Sequence, residues 1–291
     1  MSFKSNSLVT IAAAVICSVI AVALIDTKAS HQDAAQNSNA AFDRVMSTHT
    51  IRCSYVPYAP ANIVDPNTKA MTGVLHDVAE EMGKVLDLKV KWVEESTWGT
   101  FIETVRGGRA DAFCGAAFGF AAELKNAELV GPVYYSGITV WTRANDHRFD
   151  GGLAALNQKG VTITGEDGSV ASQLAAALAP NAKLLALPQN APYSMKMDNV
   201  AQGKADATFV ESYVGEDYLA HNPGTIRNVT TGAPVAVYPN VFIVNKGEFK
   251  LQSMLQGAMN ILHNNGTIER IMKKYEIYPH TLLRVRRPYE E

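Results

Sequence analysis

Short apolar runs alternate with amphipathic helical patterns along most of this chain. Continuous or strictly alternating apolar runs predict strands, and apolar residues that recur at the helical period predict helices. The two patterns follow one another from a strand at 50–55 to two final helices separated by Asn265-Gly266. Alternation of strands and helices favours parallel sheets with crossover helices, so the predicted fold class is α/β.

The predicted elements form two successive series. The first contains strands at 50–55, 88–93 and 110–115 and helices at 75–86 and 98–105. The second contains helices near 152–158, 170–178 and 194–202 and strands at 161–164, 184–187 and a segment ending at Glu211. Two further strands, 134–141 and 235–244, are rich in β-branched and aromatic residues and are placed to cross between the series.

One phrase occurs in both series. Residues 108–113 read Gly-Arg-Ala-Asp-Ala-Phe, and residues 203–209 read Gly-Lys-Ala-Asp-Ala-Thr-Phe. A glycine suits the end of a helix, and the apolar residues after the aspartate suit a buried strand. Two distant copies indicate two lobes of similar construction with a ligand cleft between them. The alternative is that the phrase is only a common helix–turn–strand junction.

The first 30 residues, 1–30, read as a targeting segment. Lys4 precedes an uncharged apolar run at 8–25, which is typical of an export signal. The run is long for a signal peptide and marginal for a membrane span, so a cleaved signal and a retained anchor both stay open. Residues 31–48, rich in polar residues and alanine, read as a linker. We therefore expect a periplasmic protein, either free or tethered to the inner membrane by 8–25.

Composition and motif content exclude several classes of function. The chain has 291 residues and a formal net charge of −2, which gives no electrostatic basis for binding nucleic acid. The sequence has no nucleophile elbow, phosphate loop or Cys-x-x-Cys motif, and its seven histidines form no metal-ligand spacing. We therefore expect no enzyme activity, no metal, no cofactor and no nucleic-acid partner.

Two cysteines, Cys53 and Cys114, lie in predicted strands outside the targeting segment. In an exported protein such a pair is a possible disulfide. Two buried free thiols are the alternative, because cysteine also packs well as a small apolar residue.

Ligand chemistry is expected at the carboxyl ends of the strands, where open parallel sheets bind their ligands. Four places meet this rule: the loop after Cys53, the turn after Cys114, the helix start at 165–169, and Glu211 at the end of its strand. Side chains at these places are therefore the first candidates for a binding site.

Motifs in a fixed order accompany these positions. They are Tyr-Ala-Pro-Ala at 58–61, Thr-Gly-Val-Leu-His-Asp at 72–77, Arg-Gly-Gly-Arg-Ala-Asp at 106–111, Gly-Pro-Val-Tyr-Tyr-Ser-Gly at 131–137, and Asn-Gly-Thr and Lys-Lys-Tyr within 264–275. In order and spacing they resemble the periplasmic solute-binding proteins of family 3, the polar amino-acid receptors of ABC uptake systems. The resemblance spans nearly everything from 50 to 278.

The resemblance implies a two-lobed, type II periplasmic-binding-protein fold with two crossover strands and an inter-lobe cleft. The first lobe would comprise 49–140 and 240–280, the second 141–239, and 281–291 would be a C-terminal tail. It also implies a monomer that captures a small polar solute, namely an amino acid, amine or derivative. The partner implied by the family is the permease of an ABC transporter.

The resemblance also implies ligand contacts. Glu211 stands where the family holds a ligand ammonium, and Gly168 and Ser169 match a helix start whose N–H groups hold an anion. A plain N-cap is the alternative for Ser169, and a helix-start acid is the alternative for Glu211. Tyr58 matches the first aromatic residue of the family's ligand loop.

Departures from the family pattern change the expected ligand. Glu123 stands where the family has the arginine that holds a ligand carboxylate, and Phe120 replaces the hydroxyl partner of that arginine. Ala61 replaces the second aromatic residue of the ligand loop, a wall that Phe118, Phe120 or Tyr58 would fill. Because Glu123 repels a carboxylate and Glu211 attracts an ammonium, the hypothesis is a cationic or amine ligand.

Two other functions stay open. The same fold houses cyclohexadienyl dehydratases, whose anionic substrates call for basic residues in the cleft, whereas the predicted cleft here is acidic. A membrane-anchored sensory binding protein is the other alternative, and the apolar run at 8–25 favours it slightly.

Overall fold

The computed structural model describes most of the chain, namely residues 39–188, 191–230 and 232–286. The predicted targeting segment 1–30 lies outside the described residues, as do 31–38 of the predicted linker and 287–291 of the predicted tail. Within the described ranges, no helix combines the length and the apolar character needed to cross a membrane.

Helices and strands follow one another along the described chain. The helices are α1 (Ala40–Thr48), α2 (Val74–Val85), α3 (Phe101–Arg106), α4 (Ala121–Asn126), α5 (Leu153–Leu156), α6 (Val170–Leu178), α7 (Met195–Ala201), α8 (Ser212–His221), α9 (Phe249–Asn264) and α10 (Thr267–Tyr275). The strands are β1 (Thr50–Tyr55), β2 (Ile63–Val64), β3 (Met71–Thr72), β4 (Lys89–Glu95), β5 (Ala112–Ala117), β6 (Ala127–Arg143), β7 (Thr162–Glu166), β8 (Lys183–Leu187), β9 (Ala207–Glu211), β10 (Ile226–Asn228), β11 (Ala236–Asn245) and β12 (Leu282–Leu283).

Most predicted elements are confirmed in type and order, but the two ends of the domain differ. Helix α1 lies where a linker was expected, because Phe42 and Val45 pack on the core and Glu248 accepts hydrogen bonds from the first backbone N–H groups of the helix. At the other end, β12 pairs with β6 where a tail was expected. Both elements are short and lie among polar residues, so neither shows enough apolar periodicity to be predicted from the sequence.

The main sheet contains ten strands in the described part of the chain, in the order β4-β1-β5-β11-β6-β9-β7-β8, with β10 and β12 also on β6. Parallel strands lie at both outer parts, and β6 and β11 run antiparallel through the middle. Strand β6 pairs with β11 along most of its length and then with β9. These two strands therefore connect the halves, as predicted for the crossover strands.

Two main cores lie in the two halves of this sheet. In the first, α2 contributes Val74, Leu75, Val78 and Met82, and α9 contributes Leu251, Leu255, Met259 and Leu262. The second is built around residues such as Ile163, Leu174 and Phe209. Burying each such side chain contributes on the order of 2 kcal/mol. The bounds predicted for the lobes remain a prediction.

The repeated phrase forms the same junction in both halves. Gly108 and Gly203 have φ values of 67° and 76° and follow a helix, in the left-handed conformation that glycine tolerates best. The carboxylate of Asp111 accepts the backbone N–H of Arg52 at 2.7 Å, and that of Asp206 accepts the N–H of Thr162 at 2.8 Å. Each aspartate thus fixes a buried strand to its parallel neighbour.

Arginines hold both aspartates in place. Arg44 and Arg52 contact Asp111, whose side chain is fully buried. Asp206 contacts Arg143 and Arg148 but keeps 16% of its side chain exposed. Since removing one partner of a buried ion pair leaves the other uncompensated, these contacts are costly to break.

The two cysteines for which a disulfide and free thiols were both open are joined. Cys53 of β1 and Cys114 of β5 form a bond with their Cα atoms 5.6 Å apart, and both residues are almost fully buried. This result decides between the disulfide and the free thiols. The bond crosses two adjacent strands of the first half, next to the loop that carries Tyr58.

Replacing Asp111 by alanine should destabilise the protein by about 3 kcal/mol, because it removes a buried carboxylate from two arginines and a backbone N–H. Asp206→Ala should cost less, since its carboxylate is partly solvated. Urea unfolding of both variants measures the difference. Equal losses would contradict the burial argument.

Removing the disulfide with Cys53→Ala and Cys114→Ala should lower the free energy of unfolding by about 4 kcal/mol, as the unfolded chain regains the entropy of a large loop. The same loss should follow reduction of the native protein with dithiothreitol, measured by urea unfolding. A loss below about 1 kcal/mol in both experiments would show that the bond does not restrict the unfolded chain.

Candidate ligand-binding site

The loop after β1 and the end of β9 meet at Tyr58 and Glu211. The Tyr58 hydroxyl donates a hydrogen bond to Glu211 Oε1, although the residues are 153 positions apart in sequence. Tyr58 packs against the first core, and Glu211 ends a strand that contributes to the second. The contact therefore joins the two halves of the molecule.

One face of the crossing strands provides polar groups around Glu211. Glu211 lies opposite Ile138 of β6. Ser136, two residues earlier on β6, lies opposite Tyr238 of β11. Opposed residues and residues two apart point to the same face of a sheet, so Ser136, Tyr238 and Glu211 share one face. Asn240 Nδ2 donates to Ser136 Oγ at 2.8 Å.

The charge of Glu211 is poorly compensated. The residue is only 8% exposed. Burial raises the pKa of Glu211, and hydrogen bonds from Ser136 and Tyr58 and the charge of Lys196 offset only part of the rise. A buried carboxylate of this kind gains from any further donor that carries positive charge.

A buried lysine that sequence reasoning did not single out lies beside this carboxylate. Lys196 of α7 is 3% exposed, and its Nζ lies 3.1 Å from Glu166 Oε2 and 3.6 Å from the ring centroid of Tyr193. Burial lowers the pKa of Lys196, and the charges of Glu166 and Glu211 offset only part of this decrease. The Tyr193 hydroxyl in turn lies 2.9 Å from that of Tyr58.

Glu166, Lys196 and Glu211 form a buried group with one carboxylate in excess. Lys196 makes its ion pair with Glu166. In the described ranges, no lysine, arginine or histidine nitrogen lies within 4.0 Å of the Glu211 carboxylate. With all three ionised, the group carries one net negative charge away from water, which is unfavourable unless a cation enters.

The predicted anion site at Gly168 and Ser169 is a turn between β7 and α6. Gly168 has a φ of 75°, and Ser169 Oγ accepts the backbone N–H of Ser172 at 3.4 Å as the N-cap of the helix. The geometry therefore fits the capping interpretation of Ser169. A ligand contact at this turn remains a prediction.

Phe118 and Phe120 pack beside β11, and Glu123 lies in α4. Burial raises the pKa of Glu123, and the backbone of the first turn of α4 offsets only part of the rise; in the described ranges Glu123 Oε2 is buried without a hydrogen-bond partner. Phe118 stacks on Tyr238 with centroids 5.5 Å apart, and Phe120 packs on the same ring. Among the described residues, no hydrogen bond or ion pair joins Glu123 to Glu211. The prediction that both acids contact one ligand stays untested.

Comparison with known proteins supplies the family. Residues 51–277 match the bacterial extracellular solute-binding proteins, family 3. The chain belongs to this family. No curated protein sequence matches the chain.

Solved structures show the same two-lobed fold as this solute-binding protein. An ancestral amino-acid-binding protein, described as a precursor of cyclohexadienyl dehydratase, is 23% identical with a TM-score of 0.68 over 80% of this chain and 97% of that one. The L-arginine-bound substrate-binding protein AbpA of Streptococcus pneumoniae is 16% identical, with a TM-score of 0.67 over 80% of this chain and 97% of that one. The L-cystine solute receptor of Neisseria gonorrhoeae is 20% identical, with a TM-score of 0.59 over 81% of this chain and 97% of that one.

Replacing Glu211 by glutamine should stabilise this solute-binding protein at neutral pH. Because the pKa of Glu211 is raised on folding, its favourable contribution is present below the unfolded pKa and is lost as pH rises through the folded pKa. The gain of Glu211→Gln, measured by urea unfolding across pH, should therefore disappear in acid.

Glu269→Gln is the matched control. Burial raises the pKa of Glu269, but Arg284 and Lys273 outweigh burial and leave it below its usual value. The control should accordingly lose stability at neutral pH. A loss in Glu211→Gln as well would mean that the hydrogen bonds from Ser136 and Tyr58 to the charged carboxylate outweigh the cost of its burial.

Proposed function

We propose that this solute-binding protein captures a small polar solute with an ammonium or guanidinium group in the cleft between its two lobes. The observation that carries the proposal is the Glu211 carboxylate, which is buried where the two halves meet and has no cationic side chain in contact within the described ranges. A ligand cation would neutralise the excess charge of this buried group.

The chemistry of capture follows from burial. An ammonium donates charge-assisted hydrogen bonds to a carboxylate, and these strengthen when the lobes exclude water. Tyr58 reaches the same carboxylate from the first half, so that a ligand held by Glu211 would be enclosed by both halves. Structural neighbours support this ligand class, since they include an ancestral arginine-binding protein bound to arginine and the arginine-bound AbpA.

Delivery to an ABC transporter permease, a monomeric state and a periplasmic location belong to the same proposal. They are supported by the extracellular solute-binding family and by the apolar run at 8–25. N-terminal sequencing of the protein from a bacterial envelope distinguishes a cleaved, free protein from one that keeps its N-terminal segment. A start near His31 favours a free receptor, and retention of Met1 favours an anchored sensor or receptor.

Binding is proposed rather than dehydratase catalysis, although one neighbour is a precursor of cyclohexadienyl dehydratase. The substrate of such an enzyme is anionic, and the group of Glu166, Lys196 and Glu211 carries excess negative charge. An anion placed there would meet like charge, which opposes binding.

Thermal unfolding of the full chain with arginine, spermidine, glutamate and prephenate tests the proposal. A ligand at a hundredfold excess over its dissociation constant stabilises the folded state by about 2.7 kcal/mol. We expect arginine or spermidine to raise the melting temperature and Glu211→Gln to abolish that rise.

Glu123→Gln is the matched variant for the second acid. If Glu123 does not contact the ligand, the rise with a cationic ligand should persist in this variant. Stabilisation by glutamate and not by the cationic compounds would overturn the proposal, and consumption of prephenate would favour the enzyme.

A further inference from the structure

A cavity of about 460 Å³ lies between the loop at 57–59 and helices α7 and α8. Tyr58 and Tyr193 form part of its wall, but Glu211 does not line it. The cavity is thus distinct from the buried carboxylate, although the hydrogen-bonded pair of tyrosine hydroxyls lies between the two. Its volume is in the range of small-molecule sites.

Tyrosines line much of this cavity. Tyr213 and Tyr218 of α8 join Tyr58 and Tyr193 in the wall, and both are at least nine-tenths buried. Burial raises the pKa of Tyr213 and of Tyr218 to about 12, so their hydroxyls stay protonated. Aromatic rings present negative faces to cations. Tyr193 already holds one cation, because Lys196 Nζ lies 3.6 Å from its ring centroid.

Two carboxylates face the same cavity without a strong cationic partner. Asp198 accepts a hydrogen bond from Tyr218 at 2.8 Å, and Asp217 accepts one from Tyr278 at 3.0 Å. In residues 39–188, 191–230 and 232–286, no lysine or arginine nitrogen lies within 4.0 Å of either carboxylate. The nearest basic group is His221, whose Nδ1 lies 3.8 Å from Asp217 Oδ1.

We propose that this tyrosine-lined cavity is a binding site for an organic cation, such as a quaternary ammonium or a protonated amine, separate from the Glu211 site. Aromatic walls replace part of the hydration shell of such a cation, and carboxylates oriented by tyrosine hydroxyls supply the opposite charge. The proposal does not rest on capture at Glu211, because its carboxylates are Asp198 of α7 and Asp217 of α8, although Tyr58 and Tyr193 lie between the two sites.

Calorimetric titration of the full chain with choline tests the site, with the uncharged analogue in which carbon replaces nitrogen as the control ligand. Asp198→Asn combined with Asp217→Asn should weaken choline binding by at least about tenfold. Glu216→Gln removes the same kind of charge from α8 at a residue outside the cavity wall and should leave binding within about twofold. Glu211→Gln is titrated alongside them to separate this site from the Glu211 carboxylate.

A variant with a single substitution separates loss of binding from loss of folding. Asp217→Asn alone changes a side chain that is 41% exposed, so it should fold normally and still weaken choline binding. Equal binding of the uncharged analogue, unchanged binding in both aspartate variants, or no choline binding by the native chain would each overturn the site. Loss of binding only in Glu211→Gln would overturn it as well, while supporting capture at Glu211.

Discussion

The hydrogen bond from Tyr58 to Glu211 requires four segments to be held in register: the loop after β1, the end of β9 and both crossing strands. Its acceptor belongs to a buried group of two carboxylates and one lysine, in which the lysine pairs with Glu166. Enclosing an unbalanced charge opposes folding, whereas it favours entry of a cation. The same feature thus limits stability and gives the cleft its chemistry.

The rigid parts on either side of this contact are built alike. Asp111 and Asp206 each bind a backbone N–H of a neighbouring parallel strand, and each is held by two arginines. The arginines at these junctions neutralise aspartates that hold the strands, so they are engaged away from Glu211. This distribution of charge leaves the junction between the halves acidic, and the carboxylates of α7 and α8 extend that character to the adjacent cavity.

Much of the fold was predictable because helices and buried strands leave local periodic patterns. The position of Glu211 was also predictable, since the carboxyl ends of parallel strands converge at one edge. Counting along the family motifs assigned Glu123 to the ligand site, a role that stays a prediction, and the structure places it in the first turn of α4. Lys196 and Asn240 escaped notice because nothing in the neighbouring residues indicates that a lysine or an asparagine will be buried.

The sequence by itself determined the order of the elements, the repeated strand junction and the family, all of which depend on residues close together in the chain. Tertiary structure decided which groups share an environment. Pairing of Cys53 with Cys114, the contact of Tyr58 with Glu211 and the burial of Lys196 beside Glu166 each join residues far apart in sequence. Such contacts depend on strand register and helix packing, which no local pattern specifies.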